Sequence, residues 1–180
     1  MIEGRLLTRS EIESVWTIDR SEIIERAYGL ENGALVLRQV YFDMRGWPPG
    51  EAEKYTPILQ NCHDRGGWFH GLFDGDRLVA VAVLDPRRIG KNQDQLQLAF
   101  LHVSSDYRKR ALGQRLFALA KLEAARRGAK ALYISATPSQ HTIDFYLRCG
   151  CSVASELDPQ LYELEPEDIH LVCPLAPVGE

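Results

Sequence analysis

The stretch from Gln95 to Gly128 constrains this chain most, because it moves from strand to basic turn to helix without a break. Leu96 to Val103 is an apolar, β-forming run of strand length. Ser104, Ser105 and Asp106 are turn and cap residues. From Leu112 the spacing becomes helical: Leu112, Leu116, Ala120 and Ala124 recur at every fourth position, with Leu119 beside them. Gln114, Arg115, Lys121 and Glu123 take the other faces. Arg126 and Arg127 close the last turn, where cations suit the helix dipole, and Gly128 stops it.

The turn between strand and helix is suited to an anion. A helix start exposes several backbone N–H groups that have no partner inside the helix and carry partial positive charge. Ala111 and Gly113 are small enough to let a phosphate approach the backbone, and Arg108, Lys109 and Arg110 add longer-range attraction. A basic turn on the surface, solvated and without a ligand, fits the same residues.

The order of the residues bears on that choice. Arg108-Lys109-Arg110-Ala111-Leu112-Gly113 resembles the Arg/Gln-x-x-Gly-x-Gly/Ala signature of the GNAT superfamily of N-acetyltransferases. Leu101-His102-Val103 resembles the strand end that leads into it. Phe145-Tyr146-Leu147-Arg148-Cys149-Gly150-Cys151 resembles the family's Phe-Tyr-x-x-x-Gly-Phe motif. The likeness is specific from about Gln95 to Val153. Ala111 stands in place of the first glycine, which a negative φ there accommodates, and Cys151 stands in place of the phenylalanine.

Length and composition agree with one domain over residues 1–180. The resemblance implies a division of it into an acceptor-side half (1–90), an acetyl-CoA-binding core (91–155) and a C-terminal hairpin (156–180). Hydrophobic residues make up 45% of the chain and charged residues 26%, as in an ordinary globular protein. A net charge of −4 gives no bias toward nucleic acid or an anionic membrane. Cys62, Cys149, Cys151 and Cys173 form no Cys-x-x-Cys pair, so reduced thiols in a cytoplasm are expected. No apolar run reaches transmembrane length, and no leader is evident. No metal site is expected, and the oligomeric state is left open between monomer and homodimer.

Along the chain, Arg5 to Thr8 starts a first strand. Ser10 caps a helix with Glu13 completing a capping box, and Ile12, Val15 and Trp16 form its buried stripe. A second short helix is expected over Ser21 to Tyr28. Asn32-Gly33 is a turn, and Ala34 to Asp43 a strand. Glu51 to His63 reads as helix despite Pro57. Trp68–Phe73 and Arg77–Leu84 read as a hairpin about Asp74-Gly75-Asp76. Asp85 to Asp94 reads as a polar connection. Ala131–Ser135 is a strand reached by a crossover, Thr142–Arg148 a short helix, and Cys151–Ala154 and Ile169–Cys173 two last strands around an acidic loop. This is an α+β order with a central mixed sheet flanked by helices. The resemblance adds a GNAT-like fold, mostly antiparallel, with one splayed parallel strand pair.

The resemblance implies acetyl-CoA as cofactor and an amine as acceptor. The pyrophosphate would then lie on N–H groups from Lys109 through Arg110, Ala111, Leu112 and Gly113 to Gln114, with Arg108 and Arg110 near the phosphates. The pantetheine arm would follow the edge of Leu101, His102 and Val103, pairing as a peptide does with a sheet edge. Ser139 stands where many relatives bond the cofactor with an asparagine; as a helix N-cap it serves a purely structural end. Tyr146 is implied as the acid that protonates the leaving thiolate, with Phe145 turned to the core. The strand that often carries a glutamate base carries none here. His102, Asp19, Glu22 or a water chain remain as routes for the proton. Trp16, Asp19 and Glu22 flank the expected acceptor side, where Trp47, Tyr41 and Tyr55 serve either as walls or as core. The acidic stretch from Glu156 to Asp168 either attracts a cationic amine or is a solvated loop. A non-catalytic acetyl-CoA sensor and, further off, a nucleic-acid-binding module are the rival readings.

Overall fold

A computed structural model describes residues 1–177. In chain order the elements are β1 (Ile2–Leu6), a 3₁₀ helix (Arg9–Thr17), β2 (Glu22–Glu31), β3 (Ala34–Met44), α1 (Glu51–Asp64), β4 (Trp68–Asp74), β5 (Arg77–Ile89) and β6 (Gln95–Val103). A 3₁₀ turn (Ser105–Tyr107), α2 (Leu112–Arg126), β7 (Ala131–Ala136), α3 (Gln140–Arg148), β8 (Ser152–Val153), α4 (Pro159–Leu164) and β9 (Ile169–Pro174) follow. Seven strands form a mixed sheet in the order β1-β4-β5-β6-β7-β9-β8, and β2 and β3 form a separate two-stranded sheet. The expected α+β architecture is therefore present, mostly antiparallel with one parallel pair, β6 and β7.

The chain gathers into two compact units. The first is built from Met1–Glu22, Met44–Pro86 and Leu98–Leu122. In it β1 runs antiparallel to β4, and β4 antiparallel to β5, with a bulge between Leu72 and Phe73. Leu78 to Leu84 is buried throughout, as an unbroken run of Leu, Val and Ala in a covered strand should be. Ile12 and Val15 of the 3₁₀ helix and Leu59 and Cys62 of α1 close one core with Leu7, Ile18, Phe69 and Val81. Trp16 donates from Nε1 to Thr56 Oγ1 at 2.8 Å, fastening the 3₁₀ helix to α1.

The second unit comprises Ile23–Asp43, Arg87–Gln97 and Glu123 onward. Here β6 pairs with β7 in parallel over Gln95–Gln97 and Ala131–Tyr133. β7 and β8 flank β9 antiparallel. The buried Tyr133 hydroxyl lies 2.8 Å from His170 Nδ1 and accepts from the Asp158 N–H at 3.1 Å. β2 and β3 meet at Asn32 (φ 49°) and Gly33 (φ 79°), two left-handed residues in a row. This is the turn whose twist suits a two-residue hairpin.

Several expectations need correction. The first strand is Ile2–Leu6. The first helix starts after Thr8, not Ser10. The Glu11 carboxylate, held by Arg5 at 2.7 Å, accepts from the Thr8 N–H at 2.8 Å, so Glu11 takes the part expected of Glu13. Ser21–Tyr28 is not a helix: Glu22–Glu31 is a strand. The paired isoleucines Ile23 and Ile24 favour extended backbone, and the Asn32-Gly33 turn folds them back on β3. β5 runs on through Pro86 to Ile89, where a polar connection was expected, because Ile89 is buried and Gly90 (φ 83°) makes the break. The last region holds a short helix, α4, in the acidic loop. Asp158 caps it by accepting from the Leu161 N–H at 3.0 Å, with Pro159 in the first turn. β8 is only Ser152–Val153, and residues 178–180 of the expected C-terminal hairpin lie outside the described residues.

Candidate active site

In the first unit, β6 delivers the chain to Ser104, which is fully buried. The Ser104 N–H donates to Val79 O at 2.8 Å, and its Oγ accepts from the Asp19 N–H at 3.0 Å. One 3₁₀ turn follows. Tyr107 donates to Asp74 at 2.7 Å, and the guanidinium groups of Arg77 and Arg110 lie 5.2 and 4.7 Å from its ring. These ties fix the turn from outside.

The backbone then takes a form that the residue types do not announce. Lys109 (φ 62°) and Ala111 (φ 58°) are both left-handed. Ala111 thus has a positive φ, so the negative φ that would make alanine comfortable in place of glycine is not met. An alanine there costs about 1–2 kcal/mol. The Arg115 N–H bonds to Ala111 O at 3.0 Å, so α2 begins at Leu112 with the N–H groups of its first turn facing outward. Left-handed residues interspersed in a turn aim successive N–H groups inward, forming an anion-binding concavity. Strain of this kind, at an exposed turn before a helix, points to a function.

Arg108 is engaged with the backbone on either side of it. Its Nη1 donates to Ser21 O at 2.9 Å and its Nε to Val103 O at 3.3 Å, so it ties the end of β6 to the loop before β2. Asp19 completes the tie. Its carboxylate accepts from the Ser105 hydroxyl, the Ser21 hydroxyl and, at 2.9 Å, the Ser21 N–H. The Ser105 and Ser21 bonds hold its pKa down to about 2, with the Arg108 charge adding to them. Glu22 opens β2, half-buried, just beyond this loop.

His102 sits in an aromatic group in the same unit. Its ring centre lies 4.9 Å from Trp47 and 5.4 Å from Phe100, both edge-on. Trp16 meets Trp47 edge-on at 4.8 Å. Trp47 donates from Nε1 to Ile18 O at 2.9 Å, and the Arg20 guanidinium stacks 4.8 Å from its ring. Loss of solvation, then the charges of Arg20 and Arg108, push the His102 pKa down to about 3. The imidazole is therefore neutral at physiological pH and a poor proton acceptor. Of the other aromatics considered, Tyr55 is core and Tyr41 is 69% exposed on β3, a residue of the second unit.

The second unit holds Ser139 and Tyr146. Ser139 is 1% exposed. Its Oγ accepts from the Thr142 N–H at 3.3 Å as the N-cap of α3, so the helix starts at Gln140, two residues earlier than expected. Tyr146 is buried and Phe145 half-buried, the reverse of the expected arrangement. Burial, with smaller contributions from Cys151 and Cys149, raises the Tyr146 pKa, so its phenol stays protonated. Sequence reasoning missed one contact here. The Tyr28 hydroxyl of β2 donates to Asp144 Oδ1 of α3 at 2.7 Å. The alternation around Asn32-Gly33 signals the hairpin that carries Tyr28, but nothing local signals its partner. Among the described residues, no three His, Cys, Asp or Glu side chains gather to hold a metal, and no helix is long and apolar enough to cross a membrane.

The sequence profile of the acetyltransferase (GNAT) family matches residues 36–151. Solved structures share the fold at low identity. Nourseothricin acetyltransferase superposes with a TM-score of 0.70 at 19% identity, over 97% of this chain and 99% of that one. The PaiA N-acetyltransferase of Thermoplasma acidophilum, solved with coenzyme A, gives 0.64 at 16%, over 97% and 99%. A protein of Bacillus anthracis str. Ames, solved with acetyl coenzyme A, gives 0.71 at 16%, over 98% and 99%. No curated protein matches the sequence.

Proposed function

The chain belongs to the GNAT family of acetyltransferases, and on that premise we propose that it moves an acetyl group from acetyl-CoA to a primary amine of a small molecule or peptide, directly, in a ternary complex. The observation that carries this is the turn before α2, with Lys109 and Ala111 both left-handed and the helix N-terminus behind them. Acetyl-CoA supplies the acyl group as a thioester. The N–H groups from Lys109 to Gln114 hold its pyrophosphate, and the exposed Lys109 and Arg110 draw it in. The edge of β6 at Leu101, His102 and Val103 receives the pantetheine amides, and the N–H near Val103 donates to the developing oxyanion. Arg108 acts by holding Ser21 and Val103 in register.

Neither Asp19 nor His102 is suited to remove the amine proton. Asp19 is already an acceptor for three donors, and His102, its pKa pushed down to about 3, is too weakly basic to hold the proton it would take. We assign deprotonation to solvent, so the rate rises toward the pKa of the free amine. Tyr146 is the acid for the leaving thiolate, on the strength of its motif and of a phenol that remains protonated. Trp16, with Trp47, borders the amine's side of the first unit. We place the protein in the cytoplasm, as a monomer or homodimer. The lack of a carboxylate along Gln95–Val103 also supports a second reading, a sensor that binds acetyl-CoA without turning it over.

Thiol release from acetyl-CoA with a panel of amines decides between the two readings, and Tyr146→Phe tests the acid. The variant keeps the ring and loses only the O–H. We expect kcat to fall by about 10²–10⁴-fold with KM for acetyl-CoA nearly unchanged. A rate within about threefold of the parent removes Tyr146 from the chemistry.

A further inference from the structure

β2 grips α3 at two points, both inside the second unit. At the helix entry, the Tyr28 N–H donates to Pro138 O at 2.8 Å, and Ala27 pairs antiparallel with Ser139, the N-cap residue. One turn further on, the Tyr28 hydroxyl donates to Asp144 Oδ1 at 2.7 Å. The first contact fixes where α3 begins. The second bears on its rotation about its own axis, beside the buried Ile143 and Tyr146, because it holds a side chain projecting from the helix. Asp144 precedes Tyr146 by two residues, about 200° around the helix, so a rotation that moves one carboxylate must swing the phenol as well.

α3 needs such a hold. It runs only from Gln140 to Arg148 and includes the β-branched Thr142 and Ile143. A helix this short has little stability of its own, so its orientation is set by what it touches. Its C-terminal end is closed locally: the N–H groups of Cys149 and Cys151 both reach Tyr146 O, at 3.1 and 3.0 Å, and Gly150 (φ 91°) turns the chain. That closure sets the end of the helix but leaves its rotation to outside contacts. A phenol donating to a carboxylate is a strong, directional tie. The Tyr28 pKa is raised, first by this bond to Asp144, so the donor proton stays in place.

From this arrangement we infer that Tyr28 is a positioning residue for acetyl transfer, acting through Asp144 to set the angle at which α3 presents the Tyr146 hydroxyl. The inference rests on the assignment of Tyr146 as the acid. Tyr28 touches neither the donor nor the amine in this account, and the hairpin carrying it serves as a brace.

The test is a double-mutant cycle in steady-state kinetics, with the thermal midpoint of every variant measured beside it. Tyr28→Phe deletes the donor and keeps the ring. We expect kcat to fall between about 10- and 100-fold, the scale of a displacement near 1 Å, with KM for acetyl-CoA within about twofold of the parent. Asp144→Asn keeps an acceptor and should retain close to parental kcat, whereas Asp144→Ala should match Tyr28→Phe. In a Tyr146→Phe background, Tyr28→Phe should cost no more than about twofold further, because there is no phenol left to aim. An equal loss in both backgrounds, an unchanged kcat in Tyr28→Phe, or a loss that follows only the fraction unfolded at the assay temperature overturns the brace. If Tyr146→Phe alone keeps the parental rate, the acid assignment fails first and takes the brace with it. If Tyr146→Phe is slow and Tyr28→Phe is not, the brace alone is wrong.

Discussion

Asp19→Asn separates the two roles this carboxylate could have, base or clamp. One carboxylate oxygen accepts from the Ser21 N–H and hydroxyl, and the other accepts from the Ser105 hydroxyl. Asparagine keeps the first oxygen and can turn its amide toward Ser105, so the loop has no reason to come apart. What it loses is the charge. The Asp19 pKa is held at about 2 against an ordinary 3.8. A gap of nearly two units corresponds to roughly 2.5 kcal/mol of preference for the ionised form in the fold. Asp19 is partly open to water, and screening should leave about 1–1.5 kcal/mol to be measured. The sign follows from a lowered folded pKa. The stabilisation is complete above pH 3.8 and disappears as the pH falls through about 2. Urea unfolding of parent and variant at pH 6 should differ by that amount, and the difference should shrink steadily toward pH 2. Acetyl-transfer kcat at pH 8 should fall less than about tenfold, whereas loss of a dedicated base costs about 10²–10⁴-fold. A stability difference that does not change with pH refutes the electrostatic reasoning, and a loss of kcat beyond a thousandfold in a folded, acetyl-CoA-binding variant refutes the clamp.

His102→Gln should leave the pH–rate profile unchanged in shape, with no inflection near the ordinary histidine pKa of about 6.5 in either protein. Unfolded His102 takes a proton that the folded form refuses until about pH 3, so the parent loses stability as the pH drops from neutral, and the glutamine variant should lose less in chemical unfolding between pH 7 and 4. At the turn, Gly113→Glu should abolish acetyl-CoA binding by calorimetry while the fold persists, and unchanged affinity would place the phosphate site elsewhere. Ala111→Gly, by contrast, should bind as before and gain about 0.5–1 kcal/mol, because glycine is at ease at a φ of 58°; a loss of stability would mean that the strain is not there.

Much of the strand–turn–helix stretch from Gln95 to Gly128 is legible in the sequence because its signals are local. The apolar run of β6, the fourfold spacing of α2 and Gly128 after it each determine their own element. The hairpin about Asn32-Gly33 is half visible: the turn is plain, but the helix expected over Ser21–Tyr28 is instead the strand Glu22–Glu31. The β-branched pair Ile23-Ile24 was the better guide. Three features left no mark in the residue types themselves. The bonds of Arg108 to Ser21 and Val103 are not announced by the basic run it belongs to. His102 titrates normally until Trp47, Phe100 and two arginines surround it. Ala111 has an unremarkable side chain, and only the backbone shows its positive φ.

That backbone has a consequence for how such a protein can drift. The groups that the turn before α2 gathers are peptide N–H groups, the same in every residue except proline. Their directions are set by two left-handed residues, one a lysine and the other an alanine. On the proposed reading, the recognising surface is written in main-chain geometry, and a lineage can exchange most of its side chains there without erasing it. Selection has only to keep the turn's shape, which several residue combinations satisfy at modest cost.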